Sequence, residues 1–132
     1  MTRQLSLVVF EMGEQQFGLP IDAVTEIIPL IAVSRVPNMP DDWLGVANVR
    51  GYVTPVVDYR VRVGGAKDLP PLSSPLIVIR QGRQQAALLV ERIKQILTIS
   101  DEHLDPSVII HEGQLLMLID PKTVLGRETP LS

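Results

Sequence analysis

The sequence predicts an all-β protein built from two small five-stranded barrels packed together, and three observations support this prediction. Short apolar, β-branched runs alternate with turn residues along the chain, as in barrels and sandwiches. No apolar helical period continues beyond two turns. The second half of the chain also repeats the pattern of the first, in units of about fifty residues that are too small to build much core alone. Two such units packed together could share an apolar layer.

The first half begins with a predicted β-hairpin at 5–19, because two apolar runs flank a Gly-Glu turn. Pro20 and Asp22 then favour one or two helical turns, since proline suits a first helical position and aspartate suits the first turn. Strand character returns at 26–28 and again in the β-branched run 31–36. The first half therefore supplies several short strands and little helix.

A second hairpin is predicted from two strands, at 44–49 and 52–57, because Val, Tyr and Thr favour a pleated surface. Gly51 between them supplies the backbone freedom that a tight reversal requires. Arg50 stands at the tip, where no core requires an arginine. Taken alone, Arg50 reads as a solvated charge on a turn, since arginine side chains are mostly exposed.

A Gly-, Pro- and Ser-rich stretch at 63–73, which has no periodicity, predicts a linker. The 132 residues are one domain's worth of chain. We therefore interpret 1–132 as a single domain with approximate subdomains at 5–62 and 74–126.

The two subdomains show an internal repeat. Residues 7–30 align without a gap on 76–99, and 51–58 align on 113–120. The alternative is that any two β-hairpins look alike, but the ungapped match continues through the helical segment and the returning strand. The Asn-x-Arg-Gly corner at 48–51 has no counterpart in the second copy, which argues that it serves more than the framework.

Composition excludes several classes of function. The net charge of −3 argues against a nucleic-acid partner, which usually needs a basic surface. No cysteine is present, so disulfides, thiolate nucleophiles and cysteine-based metal sites are excluded. The N-terminal apolar run is too short for a signal peptide or a membrane span. We expect a soluble, cytoplasmic protein without membrane insertion.

Candidate catalytic or metal-binding groups are few. His103 and His111 have acidic neighbours, but their spacing fits neither a one-turn helical pair nor a known ligand loop, so we interpret them as surface residues. Ser34, Ser73 and Ser74 lack a neighbouring histidine or acid that would activate a hydroxyl, and no glycine-rich phosphate loop is present. We therefore predict no enzyme, no metal and no cofactor.

Two motifs stand close together in the central hairpin: Gly-x-x-Asn-x-Arg-Gly at 45–51 and Pro-Val-Val-Asp at 55–58. Phe-Gly-Leu-Pro-Ile at 17–21 precedes them, and Leu-Ile-Asp at 118–120 extends the pattern into the second half. With these motifs the chain resembles the CheW-like domain family, the adaptors of bacterial chemotaxis signalling arrays. The resemblance covers nearly the whole chain and implies two SH3-like barrels. The motif positions with an expected structural role are Gly45, Gly51, Pro55 and Asp58.

The resemblance implies a non-catalytic adaptor that couples chemoreceptors to a chemotaxis histidine kinase. One partner would be the regulatory domain of the kinase, itself CheW-like, and the other the cytoplasmic tip of the receptor, held in an apolar groove between the barrels. The second copy departs from the family at 104–110, which is short and lacks the usual glycine. The expected partner-binding residues are Val24, Glu26, Ile27, Val46, Asn48, Arg50, Val90 and Ile93. For Val24 and Ile93 the alternative is a place in a shared core.

We further predict that Arg50 pairs with Glu26 through two parallel hydrogen bonds at the edge of the groove, because guanidinium and carboxylate match in geometry. In the second repeat Gln95 replaces Glu26 and no arginine precedes Gly113, so both partners are lost together. Two other functions stay open. One is a small-ligand sensor that uses the groove between the barrels, and the other is a peptide-binding module of the SH3 type, which needs an aromatic-lined groove.

Overall fold

The computed structural model describes residues 3–64, 68–101 and 107–125. Within these ranges the protein is mostly β-structure, which confirms the predicted fold class. Its strands are β1 (Arg3–Met12), β2 (Gln15–Pro20), β3 (Val24–Pro29), β4 (Trp43–Val49), β5 (Tyr52–Asp58), β6 (Pro75–Gln81), β7 (Gln84–Leu89), β8 (Arg92–Asp101), β9 (Val108–His111) and β10 (Gln114–Leu118). The helical elements are a 3-10 turn at Ile21–Ala23, α1 (Tyr59–Gly64) and α2 (Lys122–Leu125).

Two segments differ from the sequence prediction. The run 31–36 forms no strand, and only Ser34 makes an isolated bridge with Val46. Flanked by prolines, this run packs apolar side chains onto a sheet interior without a ladder partner of its own. Helix α1 occupies residues for which the sequence analysis names no element, and it overlaps the start of the predicted linker 63–73.

The strands form two five-stranded, barrel-like sheets, which we call sheet 1 and sheet 2. Sheet 1 has the order β3-β6-β7-β5-β4, and sheet 2 has the order β8-β1-β2-β10-β9. Each sheet therefore contains a hairpin from the other half of the chain: β6–β7 pairs with β3 and β5, and β1–β2 pairs with β8 and β10. The segments 5–62 and 74–126 do not each form a sheet, because the two repeats exchange their first hairpins.

The central strands β1, β6 and β7 are buried on both faces, because successive side chains point into two different apolar cores. On β1, Leu7 and Val9 belong to the core inside sheet 2, whereas Val8 and Phe10 belong to a core shared by the two sheets. Strands β6 and β7 divide their side chains in the same way between the interior of sheet 1 and the shared core. A strand buried on both faces reads as a continuous apolar run, and each fully buried large side chain contributes roughly 1.5–3 kcal/mol.

Aromatic side chains join the two sheets within the shared core. Phe10 stacks on Phe17 in sheet 2, with 5.4 Å between ring centroids. Tyr59 of α1 meets both rings edge-on, at centroid distances of 5.9 Å and 5.4 Å. Burial raises the pKa of the Tyr59 hydroxyl above its ordinary value. Helix α1, which the sequence analysis did not anticipate, is thus a structural connection between the sheets.

Candidate functional site

The tip of the β4–β5 hairpin is a two-residue turn with positive φ at both central positions. Arg50 has φ 55° and Gly51 has φ 84°, and the flanking residues Val49 and Tyr52 pair directly. Such turns match the twist of the strands, but a residue other than glycine adopts this conformation infrequently. The Asn48 Oδ1 accepts a hydrogen bond of 2.9 Å from the Gly51 N–H, which holds the turn. Asn48 therefore has a local structural role at the tip.

The predicted pair between Arg50 and Glu26 is confirmed. Arg50 Nε donates to Glu26 Oε1 and Oε2 at 3.2 Å and 3.1 Å, and Nη2 donates to Oε2 at 2.9 Å. The hydrogen bond and then the charge of Glu26 raise the pKa of Arg50 above its ordinary value. The Arg50 side chain is 75 % exposed and that of Glu26 is 24 % exposed, so this is a surface pair. It links β3 to the end of β4, the two edge strands of sheet 1.

Gly45 allows the segment that contains Ser34 to lie directly against β4. A Cβ at this position would collide with the Ser34 carbonyl oxygen and lie 2.5 Å from Val33 Cγ1. The bridge beside it has two hydrogen bonds of 2.8 Å between the backbones of Ser34 and Val46. The motif glycine is therefore required by the close approach of backbone, which sequence alone did not specify.

Asp58 caps helix α1. Its Oδ1 accepts a hydrogen bond of 3.0 Å from the Arg60 N–H, and its carboxylate also receives the Arg60 guanidinium at 3.1 Å and 3.0 Å. The two side chains are 5 % and 11 % exposed, respectively. The hydrogen bond to Asp58 is the main cause that raises the pKa of Arg60. Pro55 lies opposite Val46, one residue before β7 begins to pair with β5. Both motif residues thus position elements of sheet 1.

The five apolar residues predicted for the groove occupy different environments. Val46 is 8 % exposed and Val90 is 0 % exposed, and both belong to the shared core. Val24 and Ile93 are partly buried and pack against that core, whereas Ile27 is 44 % exposed. The structure therefore brings Val24 and Ile93 to one core but does not expose Val46 or Val90 to a partner.

The shared core has a rim of partly buried residues, which we call the seam rim. Its members are Ile21, Val24, Val36, Met39 and Ile93. The sequence analysis missed Ile21, Val36 and Met39, because they lie outside the strands and follow no period. Their turn-rich surroundings carry no signal that assigns a buried face to them.

A second apolar surface lies on the outer side of β9 and β10. We call it the β9–β10 face, and its members are Val108, Ile110, Leu115 and Met117. Leu115 lies opposite Ile110, and Met117 lies opposite Val108, so the four side chains form two adjacent cross-strand pairs. Their exposed fractions range from 36 % for Val108 to 67 % for Ile110. The alternation with buried Ile109 and Leu116 is visible in the sequence and could have identified this surface.

An apolar cleft of about 470 Å³ lies beside sheet 1. Its lining residues are Leu30, Ile31, Ala32, Val33, Arg35, Leu44, Leu69, Pro70 and Leu72. Leu69 and Leu72 are 82 % and 88 % exposed. The groove predicted from sequence was expected at the shared core, and this cleft lies outside that core.

The described part of the chain shows neither a metal-binding cluster nor a membrane-spanning helix. No cluster of three or more His, Cys, Asp or Glu side chains suited to a metal occurs there. His111 lies 3.8 Å from Glu112 on the β9–β10 turn, and His103 falls outside the described residues. None of the described helices has the length and hydropathy to span a bilayer.

Two exchanged sheets with one shared core, a salt-bridged hairpin tip and exposed apolar strand surfaces define a small all-β interaction domain. The family model of the CheW-like domain matches residues 6–112. The chain belongs to the CheW-like domain family.

Curated and solved relatives agree with this assignment. The chain is 31 % identical over 136 residues to the chemotaxis protein CheW of Rhizobium meliloti, covering 92 % of this chain and 88 % of that protein. It is 35 % identical over 102 residues to the probable chemotaxis protein CheW of Rhizobium etli, covering 76 % of this chain and 65 % of that protein. The crystal structure of the scaffolding protein TtCheW from Thermoanaerobacter tengcongensis has the same fold, with a TM-score of 0.77 at 23 % identity over 89 % of this chain and 85 % of that one.

Proposed function

We propose that this protein is a non-catalytic, cytoplasmic adaptor that couples chemoreceptors to a chemotaxis histidine kinase. The observation that carries the proposal is the presence of two separate candidate surfaces on one double-sheet body. The seam rim and the Arg50–Glu26 pair lie around sheet 1 and the shared core. The β9–β10 face lies on sheet 2. Two surfaces on one domain would allow two partners to bind together.

The receptor tip would bind along β3 and the seam rim. On β3, Val24 pairs with Ile79 and Ile27 pairs with Ile77, and both partners belong to the shared core, so Val24 and Ile27 lie on that side of the strand. Glu26 lies between them and on the opposite side of this edge strand. An apolar surface bordered by a charged pair suits an amphipathic helical hairpin, whose apolar side faces the groove while polar groups at its edge set the register. Arg50 would fix the orientation of Glu26 and could contact the partner directly, because most of its side chain is exposed.

The kinase regulatory domain would bind the β9–β10 face. Four apolar side chains that stand in cross-strand pairs present a flat surface, which a barrel of the same family could match. A specific protein interface typically buries about 1,600 Å² in total. The four residues would form its apolar centre, and the polar residues of the surrounding turns would form its rim.

Binding of the two partners can be tested separately by titration calorimetry with a receptor-tip fragment and a kinase regulatory domain. Ile110→Asp should weaken kinase binding alone, and Ile27→Glu should weaken receptor binding alone, because both side chains are exposed and the fold should persist. Ile96→Asp is a matched control, since Ile96 is 64 % exposed on β8, outside both surfaces. Turnover of ATP by the pure chain, or no binding to any cognate kinase or receptor, would contradict the proposal.

A second candidate function is a small-ligand module, favoured by the 470 Å³ cleft, since ligand pockets of this kind are mostly apolar with few polar groups. Arg35 is the charged residue of its lining. A thermal-shift screen of amphiphilic carboxylates tests this candidate, with Arg35→Gln as the variant that should lose any shift. A peptide-binding module of the SH3 type has less support, because Phe10, Phe17 and Trp43 are all buried.

A further inference from the structure

The Arg62 side chain uses all three guanidinium nitrogens. Its Nε and Nη2 donate to Asp42 Oδ2 at 3.0 Å and 2.7 Å. Its Nη1 donates to the Thr123 carbonyl oxygen at 3.1 Å. The Arg62 and Asp42 side chains are only 21 % and 9 % exposed. Three of the five N–H donors of this enclosed guanidinium are therefore bonded, which restricts its orientation.

These contacts join the margin of sheet 1 to α2, the helix that follows the last strand of sheet 2 along the chain. Asp42 precedes β4 in sheet 1, and its backbone carbonyl accepts a hydrogen bond of 2.7 Å from the Asp58 N–H at the end of β5. Thr123 lies in α2, which follows β10 of sheet 2 and packs on β6 and β7 of sheet 1. Arg62 therefore connects the margin of sheet 1 to a helix that is joined to β10 of sheet 2 by residues 119–121 of the chain.

The same turn of α1 also reaches the strands of sheet 2 through Tyr59. The Tyr59 ring packs edge-on against Phe10 of β1 and Phe17 of β2. The Arg62 guanidinium lies 6.0 Å from the centroid of the Tyr59 ring. Helix α1 thus makes an apolar contact with sheet 2 through Tyr59 and directional polar contacts with Asp42 and α2 through Arg62.

We propose that Arg62 is a positioning residue that fixes the angle between the two sheets and thereby the width of the seam. Apolar packing is non-directional, so the shared core favours contact between the sheets but tolerates small rotations. The planar fork of an arginine, held by a carboxylate on one side and a helix carbonyl on the other, excludes such rotations. The Asp58–Arg60 pair cannot replace it, because Arg60 bonds Asp58 at the start of α1 and the exposed Asp68, and neither residue belongs to sheet 2.

A functional consequence follows if the seam rim binds the receptor tip, and this clause rests on the proposed function. A seam that opens or twists would separate Val24 on β3 from Ile93 on β8, which belong to different sheets. A partner helix would then contact only one of the two sides. The β9–β10 face lies within sheet 2, so a change in the angle between the sheets should leave kinase binding unchanged.

The chain contains no cysteine, so two introduced cysteines can carry spin labels for distance measurement without background. Suitable exposed sites are Glu14 on the β1–β2 turn of sheet 2 and Arg83 on the β6–β7 turn of sheet 1. With native Arg62 the distance distribution should be narrow. With Arg62→Gln it should become broad or bimodal, and Arg62→Lys should recover it only in part, because lysine keeps the charge but not the fork.

Binding is measured on the unlabelled chain. Arg62→Gln should weaken binding of the receptor-tip fragment roughly tenfold, which corresponds to about 1.4 kcal/mol, and should leave binding of the kinase domain unchanged. Lys122→Gln is the matched control, since Lys122 is an exposed cation on α2 beside Thr123, and it should change neither the distance distribution nor binding.

The outcomes separate this proposal from the proposed function. A lower melting temperature for Arg62→Gln with an unchanged distance distribution would assign Arg62 a purely structural role and overturn the proposal. If Arg62→Gln broadens the distance distribution but even the native chain binds no receptor tip, the positioning role of Arg62, which we call the clamp, would be supported and the receptor assignment rejected. If Arg62→Gln fails to fold, Asp42→Asn applies the same test, because it keeps the shape of the acceptor and removes its charge; an unchanged distribution there would overturn the clamp.

Discussion

Asp58 and Asp120 occupy equivalent positions in the two repeats and allow the buried ion pair to be measured against an internal reference. Each carboxylate caps a short helix, since Asp58 Oδ1 accepts from the Arg60 N–H and Asp120 Oδ1 accepts from the Lys122 N–H, both at 3.0 Å. Only Asp58 also binds an enclosed guanidinium. Replacing either aspartate by alanine therefore removes the same kind of cap, but Asp58→Ala also removes the better enclosed of the two carboxylates beside Arg60.

The expected costs follow from these contacts. Asp120→Ala removes a cap and should lower the free energy of unfolding by about 1 kcal/mol. Asp58→Ala should lower it by more than the loss of a cap alone, but by less than the roughly 3–5 kcal/mol of a fully buried pair, because the Arg60 guanidinium is 11 % exposed and would keep the exposed Asp68 carboxylate at 3.5 Å. Asp58→Asn should lie between them, since asparagine is a good helix cap but cannot neutralise the charge.

Urea unfolding followed by circular dichroism measures all three variants, and an unchanged denaturant slope would show that they unfold in the same way. The double variant Asp58→Ala with Arg60→Met should recover part of the loss, because it also removes the enclosed charge that has lost Asp58. Equal costs for Asp58→Ala and Asp120→Ala would refute the reasoning, since the Arg60 pair would then contribute nothing beyond the cap.

Three further predictions concern sheet 1. A double-mutant cycle of Arg50→Ala and Glu26→Gln should be non-additive in receptor affinity and nearly silent in unfolding, because the pair is exposed; strict additivity in both measurements would contradict a functional contact. Val46→Glu should unfold the protein, since it places a charge in the shared core. Ile27→Glu should fold and lose receptor binding alone, because Ile27 is exposed. If Val46→Glu folds and still binds the kinase domain, Val46 would have to be assigned to the receptor groove and not to the core. Gly45→Ala should lower the melting temperature, because its Cβ would meet the Ser34 carbonyl, and an unchanged value would show that the segment can move aside.

The pairing of Arg50 with Glu26 was predictable because the duplication supplied a comparison within the chain. Gln95 replaces Glu26 where the tip residue becomes Glu112, and both Arg50 and Glu112 adopt positive φ in the same two-residue turn. Both copies therefore have the same backbone conformation at the hairpin tip, but the Arg50–Glu26 ion pair occurs in the first copy. The exposure of the pair was not predictable, because it depends on how far the β4–β5 tip extends past β3.

The hairpins at β1–β2, β4–β5 and β6–β7 and the short helical segment after Pro20 were determined by the sequence, because they depend on local alternation and on turn residues, whereas the strand predicted at 31–36 does not form. Which hairpin enters which sheet was decided only by tertiary structure. The repeats carry the same apolar pattern, so β1–β2 and β6–β7 are equivalent partners for either sheet as far as local sequence shows. The parallel pairs β2–β10 and β5–β7, which the exchange creates, link residues far apart in the chain and leave no local signal.

The same limit explains the groove residues. Val90 and Ile21 occupy equivalent positions in the two repeats, yet Val90 is fully buried and Ile21 lies at the seam rim. Both residues follow a strand at the end of a hairpin, and how deeply each is buried depends on the sheet that the hairpin enters. Helix α1 depends on both local and distant residues. Its cap is local, because Asp58 bonds the N–H of Arg60 two residues later. The partners of Tyr59 and Arg62 are distant in sequence and come together only in the folded protein; they are Phe10, Phe17, Asp42 and Thr123.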